Sequence, residues 1–331
     1  MKKLSVGIDI GGTRTKIGIV DADGNVCANS IIVMATYPRE SNYPAYVDAL
    51  CAEIVRLLGL QTEDYEVVGI GMGAPMANYN NRTIDNPGNL WTPDNVNDNH
   101  SRIFHIAEDI LERFENNPKL ANTKVVVTND ANAAAIGEMV YGGAKGMQNF
   151  VVVTLGTGLG GGIVLNGQLI NGHRGFGGEL GHIVVEPAGR QCGCGLRGCI
   201  EPYASSTGIV RTVKAWLNET DEPSVLRNID PDKIESKDIS DAALAGDAMA
   251  QRAYEYTGEM LGKMLANVLP VLDPEAIFIT GGLAKAGNLI LAPTERTMRA
   301  SLLRIYGDVK LALSQINDDN AAVRGASALV W

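Results

Sequence analysis

Leu155-Gly156-Thr157-Gly158-Leu159-Gly160-Gly161-Gly162 is the stretch on which the fold turns. An apolar, β-rich run from Phe150 to Leu155 leads into it, and a second run, Ile163 to Leu165, leads out. Asn166-Gly167 then signals a hairpin into a third short strand near Gln168 to Ile170. The glycine spacing invites a dinucleotide-binding reading, but that fingerprint needs a helix directly after the loop to receive the pyrophosphate. A strand follows here, so the Rossmann reading fails. What remains is a β-meander with a glycine-rich first turn, whose backbone N–H groups are free to face phosphate oxygens.

The chain opens in the same way. Leu4 to Ile10 reads as a strand, Gly11-Gly12 turns it, Thr15 to Val20 returns, and Asp23-Gly24 leads into a third strand from Val26 to Val33. The first turn carries Asp9-Ile10-Gly11-Gly12-Thr13-Arg14-Thr15-Lys16. A carboxylate at the strand end could hold Mg²⁺ through water while the turn cradles phosphate. Walker A spacing is absent, and these residues alone would serve equally as a tight turn capped by Asp9. The second glycine loop at the corresponding place favours two phosphate loops, one per half, as a nucleotide clamped in a cleft would need.

Between the meanders, Pro44 to Leu58 has helical spacing, with Tyr46, Val47, Leu50, Ile54, Val55 and Leu58 on one stripe. Val67 to Gly73 reads as a strand, followed by a polar loop through Trp91; Ile103 to Phe114 reads as a helix and Lys124 to Thr128 as a buried strand. Asn129-Asp130 then opens an alanine-rich helix from Ala131 to Tyr141. The pair reads first as an N-cap; its chemical reading is a general base, Asp130, beside a substrate-orienting Asn129. After the second meander come helices near Ser205 to Leu217, Ser240 to Ala245 and Asp247 to Leu269. A strand from Ala276 to Thr280 ends at Gly281-Gly282, and a helix from Thr294 to Leu303, a strand from Val309 to Leu313 and a helix from Ala321 to Leu329 close the chain. Residues 223–239, with two prolines and many charges, read as an exposed excursion.

Three of the five cysteines lie in Cys192-Gly193-Cys194-Gly195-Leu196-Arg197-Gly198-Cys199, ten residues after His182. Three thiolates and an imidazole complete a tetrahedral set with no position left for water, which marks a structural zinc. Glu179 and Glu201 flank it. By default they are surface charges, but beside metal ligands they can be held rigid. Gly177, Gly178 and Gly181 argue against a helical Glu179-x-x-His182 and for loop or strand. Metal binding at one ring nitrogen of His182 leaves the other N–H to point outward. Cys27 and Cys51 read as small apolar fillers.

With 331 residues, 45% of them hydrophobic, the chain can bury more than one core. Its net charge of −10 and lack of a basic tract weigh against nucleic acid. No apolar run approaches a membrane span, and the basic start is broken at Asp9, against a signal peptide. Clustered thiols fit a reducing cytosol and a cytoplasmic protein better than a disulfide framework.

Together these motifs resemble the ROK family (repressors, open reading frames and sugar kinases) of the actin-like ATPase superfamily. The resemblance runs through Asp9-x-Gly-Gly-Thr-x-x-Lys16, Asn129-Asp130, Leu155 to Gly162, Glu179-x-Gly-His182, Cys192 to Glu201 and Thr280-Gly-Gly282. It implies an α/β protein of two RNase H-like lobes with the active-site cleft between them. Residues 1–128 plus 319–331 would form the smaller lobe, and 129–318 the larger, zinc-bearing one. It implies ATP and Mg²⁺ bound through Asp9, Gly11, Gly12, Thr13, Lys16, Gly156, Thr157, Gly158, Gly281 and Gly282, with the last two against the adenosine. It implies a hexose held by Asn89, Asn129, Asp130, Glu179, His182 and Glu201, with Asp130 as base, and zinc on His182, Cys192, Cys194 and Cys199. The expected reaction is γ-phosphoryl transfer from ATP to the 6-hydroxyl of glucose, in a homodimer or homotetramer. Alternatives are N-acetylglucosamine, N-acetylmannosamine, mannose, fructose or allose as acceptor. A sugar-sensing regulator is a further alternative, against which the start at the first strand and the acidic charge weigh. A zinc-thiolate redox module would leave the glycine loops unexplained. Met76, where the family often has glycine, and Asn86-Pro-Gly-Asn89-Leu-Trp91 depart from the expected glucokinase pattern and leave the sugar open.

Overall fold

Val6, Ile8 and Ile10 point one way from the first strand, and Ser5, Gly7 and Asp9 the other. That alternation organises the first half of the chain. The structure, a computed structural model, describes residues 1–36, 43–87, 90–91, 102–316 and 318–331. Strands β1 (Lys2–Ile10), β2 (Arg14–Asp21) and β3 (Val26–Ala35) form the expected antiparallel meander, and α1 (Tyr43–Gly59) leads to β4 (Tyr65–Gly73). A small antiparallel sheet of β5 (Ala77–Asn78), β6 (Thr83–Asp85) and β7 (Ile103–Phe104) follows, then α2 (Ile106–Phe114), β8 (Val125–Thr128) and α3 (Asp130–Tyr141). The main sheet has the order β3-β2-β1-β4-β8, with β1, β4 and β8 parallel.

Two expectations change here. The segment expected as loop contains β5 and β6, and the helix expected from Ile103 starts at Ile106 because Ile103–Phe104 pairs with β6. On α1 the buried stripe takes Cys51 and Leu57, whereas Val55 is 44% exposed. The core on this face of the sheet joins Val6, Ile8 and Ile10 to α1 and α2, capped by Trp91, whose ring lies 4.7–5.1 Å from those of Tyr43, Tyr46 and Phe104.

The second meander is β9 (Phe150–Leu155), β10 (Leu159–Leu165) and β11 (Gln168–Leu169). Gly160, Gly161 and Gly162 belong to β10 rather than to the turn, which is only Gly156 to Gly158. Gly161 sits so close to the chain that a Cβ there would come within 2.4 Å of Leu180 Cγ. Helices α4 (Ser206–Glu219), α5 (Ser236–Leu244) and α6 (Ala248–Leu272) lead to β12 (Ala276–Thr280), α7 (Asn288–Ala300) and β13 (Lys310–Leu313). The helix α7 starts six residues before the expected Thr294. The excursion over 223–239 is anchored: Leu226, Ile234 and Ile239 are buried, and Asp247 accepts from Ser224 and Val225. This sheet repeats the first, in the order β11-β10-β9-β12-β13, with β9, β12 and β13 parallel.

The closing helix α8 (Ala321–Ala328) returns to the first sheet, on the face away from α1. Gly7 pairs with Gly18 on β2 and Gly71 on β4, which makes a side-chain-free row across three strands. A Cβ at Gly7 would come within 2.0 Å of Val323 O, and one at Gly71 within 1.9 Å of Ala326 O. Only glycine lets the helix backbone lie this close. By packing, one unit comprises Met1–Gly146, Leu169–Gly177 and Asp318–Trp331, and the other Met147–Gln168 and Gly178–Asn317. The expected division after residue 128 falls inside the first unit, where α3 packs on α8.

Candidate active site

Parallel strands bring their carboxyl ends to one edge of a sheet, and ligands gather there. In the first unit that edge holds Asp9 and its turn, Gly73, Asn129 and Asp130. Asp9 pairs with Lys16 on β2 and with Gly73 on β4. The turn is closed by Gly11 N–H donating to Arg14 O at 2.9 Å, and Thr13 O accepts from Thr36 N–H at 3.1 Å. Lys16 Nζ donates to Asp319 O at 2.5 Å, which ties the β1–β2 turn to the segment before α8.

Asn129 is the N-cap of α3, its Oδ1 accepting from Asn132 N–H at 2.7 Å. The cap therefore falls to Asn129, and Asp130 is left at the first helical position, with Oδ1 against Ala131 N–H at 2.9 Å. Asp130 keeps accessible surface, yet loss of water from around its carboxyl raises it above the usual range, against the opposing pull of that N–H. Burial first and the charge of Asp130 second raise Asp9 to about 6, while Lys16 lowers it. Two acids, Asp9 and Asp130, thus share this edge.

In the second unit the carboxyl ends of β9 and β12 place Gly156 to Gly158 and Gly281-Gly282 at one edge. Gly156 N–H donates to Gly158 O at 3.0 Å. Gly281 has φ +97° and lies against the backbone of Leu155, whereas Gly282 is exposed. The start of α4 holds the turn from behind: Ser206 N–H donates to Gly156 O at 2.8 Å, and Thr207 Oγ1 donates to Thr157 O at 2.9 Å. Sequence reasoning missed these two residues. The run Ser205-Ser206-Thr207-Gly208 is a helix-start signature, but nothing in it announces which carbonyls it will hold.

His182, Cys192, Cys194 and Cys199 come together with their ligand atoms all within 4.8 Å of one another. Cys192 Sγ lies 3.7 Å from His182 Nδ1, and Cys194 Sγ lies 3.7 Å from Cys199 Sγ. Tetrahedral zinc with its usual bond lengths separates its ligands by about 3.5–3.8 Å, so the donor set fits. Burial pushes the Cys192 and Cys199 thiols up, Cys199 to about 12, so ionising these two calls for a positive charge, whereas the Leu196 N–H draws the exposed Cys194 thiol down. Gly195 and Gly198 take positive φ to fold the loop, and a Cβ on Gly198 would come within 1.8 Å of Glu186 O.

The expected loop or strand at Glu179–His182 is instead a single 3-10 turn with Glu179 before it. His182 Nδ1 faces the thiols, and Nε2 faces outward, 3.9 Å from Glu179 Oε2. Arg190, also missed, locks the cysteine loop to α4 by donating to Pro202 O, Gly208 O and Thr212 Oγ1 while lying over the Tyr203 ring. Asn89 lies outside the described residues. Among the described residues no helix is long and apolar enough to cross a membrane.

Two α/β units of one strand order, each with a glycine turn after its first strand, have the actin-like ATPase fold. The chain belongs to the ROK family, whose model matches residues 5–331. It is 38% identical to the glucokinase of Streptomyces coelicolor over 91% of this chain and 88% of that protein. A ROK family glucokinase from Streptomyces griseus, solved with glucose and AMPPNP, superposes with a TM-score of 0.78 at 34% identity, covering 98% of each chain. The xylose repressor of Bacillus subtilis is 27% identical over 98% of this chain and 76% of the repressor.

Proposed function

We propose that the protein is an ATP-dependent hexokinase that transfers the γ-phosphoryl group of ATP to the 6-hydroxyl of glucose. The observation that carries this reading is one edge of the first sheet, where Asp130, an accessible carboxylate at the first position of α3, stands beside Asp9 and its glycine turn. Phosphoryl transfer asks little covalent chemistry of a protein beyond a base for the attacking hydroxyl and fixed charge around the phosphates. Asp130 accepts the hydroxyl proton, and Asn129, fixed by its capping bond, orients the acceptor. Gly11 and Gly156 spend their N–H groups on closing their turns, so Gly12 and Thr13 in the first turn and Thr157 and Gly158 in the second offer theirs to phosphate oxygens, and Gly281-Gly282 flanks the nucleoside.

Mg²⁺ would be held through Asp9 and supplies charge that offsets the phosphates. Zinc would be held by His182, Cys192, Cys194 and Cys199, which fixes His182 Nε2 and Glu201 toward the sugar, with Glu179 beside them. The similarity to glucokinases supports glucose and ATP as substrates. We read the enzyme as cytoplasmic, where its thiols stay reduced, and as a homodimer or homotetramer.

Asp130→Asn tests the base. Its kcat is expected to fall about 10²–10⁴-fold while glucose affinity, read by calorimetry, changes little. Near-normal turnover would sink the assignment.

A further inference from the structure

Glu201 reaches beyond the thiol cluster next to it. Its backbone N–H donates to Gly181 O at 3.0 Å, and the preceding Ile200 N–H donates to Ile183 O at 2.9 Å. Its carbonyl accepts from Ser205 Oγ at 2.7 Å. The side chain thus leaves a backbone tied on one side to the His182 turn and on the other to the start of α4. Oε1 lies 3.9 Å from Cys192 Sγ, and Oε2 accepts the backbone N–H of Leu159 at 3.0 Å. Leu159 is the residue that ends the Gly156–Gly158 turn. A Cβ on Gly158 would come within 2.4 Å of Glu201 Oε2, and one on Gly181 within 2.3 Å of Leu159 O. Both glycines clear the way for this one carboxylate–amide bond.

We infer that Glu201 is a positioning residue for the phosphate loop and couples hexose occupancy to nucleotide affinity within the second unit. The inference rests on the proposed reading, in which Glu201 meets the hexose and Gly156–Gly158 meets the nucleotide phosphates. An ionised carboxylate has lone pairs for both a loop N–H and a sugar hydroxyl. A hexose that fixes its rotamer also fixes the acceptor that holds Leu159, and with it the turn. Linkage makes the effect reciprocal: nucleotide tightens hexose binding by the factor with which hexose tightens nucleotide binding.

The test is calorimetric titration of the zinc-loaded 331-residue chain with Mg²⁺-AMPPNP, with and without saturating glucose. In the wild type, glucose is expected to tighten AMPPNP binding about fivefold or more. Glu201→Ala should bind AMPPNP about tenfold more weakly without any glucose present and should lose the glucose effect. In Glu201→Gln the amide oxygen can still accept Leu159 N–H, so sugar-free AMPPNP affinity should return to within about threefold of wild type while glucose affinity falls. Zinc content, measured by mass spectrometry, should stay equal in all three. Wild-type AMPPNP affinity in Glu201→Ala, or no recovery in Glu201→Gln, would overturn the inference. A wild type that binds neither ligand would overturn the site reading, and the inference with it.

Discussion

Replacing Asp9 by asparagine removes a charge that the folded chain holds against its surroundings. Burial and the neighbouring Asp130 raise the Asp9 carboxyl from the ordinary 3.8 to about 6. Between those values the folded state binds more protons than the unfolded chain, so stability falls as pH rises through that window. Above it the penalty is complete. At about 1.4 kcal/mol per pKa unit it reaches roughly 3 kcal/mol, and solvent reaching the half-buried carboxylate brings the expectation to about 1–3 kcal/mol. Urea unfolding without Mg²⁺ or nucleotide should therefore find Asp9→Asn more stable than wild type at pH 8. At pH 5 the gain should shrink to about half, because much of the wild-type carboxyl is by then protonated in the fold. The same variant should bind Mg²⁺-ATP poorly, which would explain why the fold keeps the acid. A variant no more stable than wild type at pH 8, or a gain equal at both pH values, would refute the reasoning.

Cys194→Ala should weaken hexose binding about tenfold or more and nucleotide binding by less, since the cysteine loop stands behind His182 and Glu201; equal losses in paired titrations would reduce the zinc knot to a fold staple. Gly71→Ala drives a Cβ to 1.9 Å from Ala326 O and should destabilise the first unit. The expected loss is about 1–3 kcal/mol in denaturant unfolding, and a wild-type midpoint would mean that α8 does not depend on the glycine row.

Features that constrain residue type were legible in the sequence. A metal cluster needs thiolates and imidazole, and a turn that meets phosphate needs small residues, so Cys192 to Cys199, Gly11-Gly12 and Gly156 to Gly158 stood out. The repeated meander was legible because its first two strands are β-rich runs around a glycine turn and because Asp23-Gly24 and Asn166-Gly167 mark the hairpins, the latter revealing even the two-residue β11. Strands of two or three residues show no period, so β5, β6 and β7 were hidden, and Ile103 was absorbed into a neighbouring helix. The row of Gly7, Gly18 and Gly71 has meaning only once register aligns three strands. Ser206, Thr207 and Arg190 escaped for a related reason: their targets are backbone carbonyls, which leave no mark on sequence. Gly160 to Gly162 look like loop, yet they pair with Thr154, Val153 and Val152 of β9, and Gly161 is small because Leu180 and Gly178 O press on it.

The central claim is that this chain phosphorylates a hexose, with glucose as acceptor. A panel of purified sugars, including glucose, mannose, fructose, allose, N-acetylglucosamine and N-acetylmannosamine, assayed with ATP and Mg²⁺ by coupled ADP detection, tests it most directly. Glucose should give the highest kcat/KM, with glucose 6-phosphate as product. ADP release with no hexose in the panel would contradict the account and favour the sugar-sensing reading.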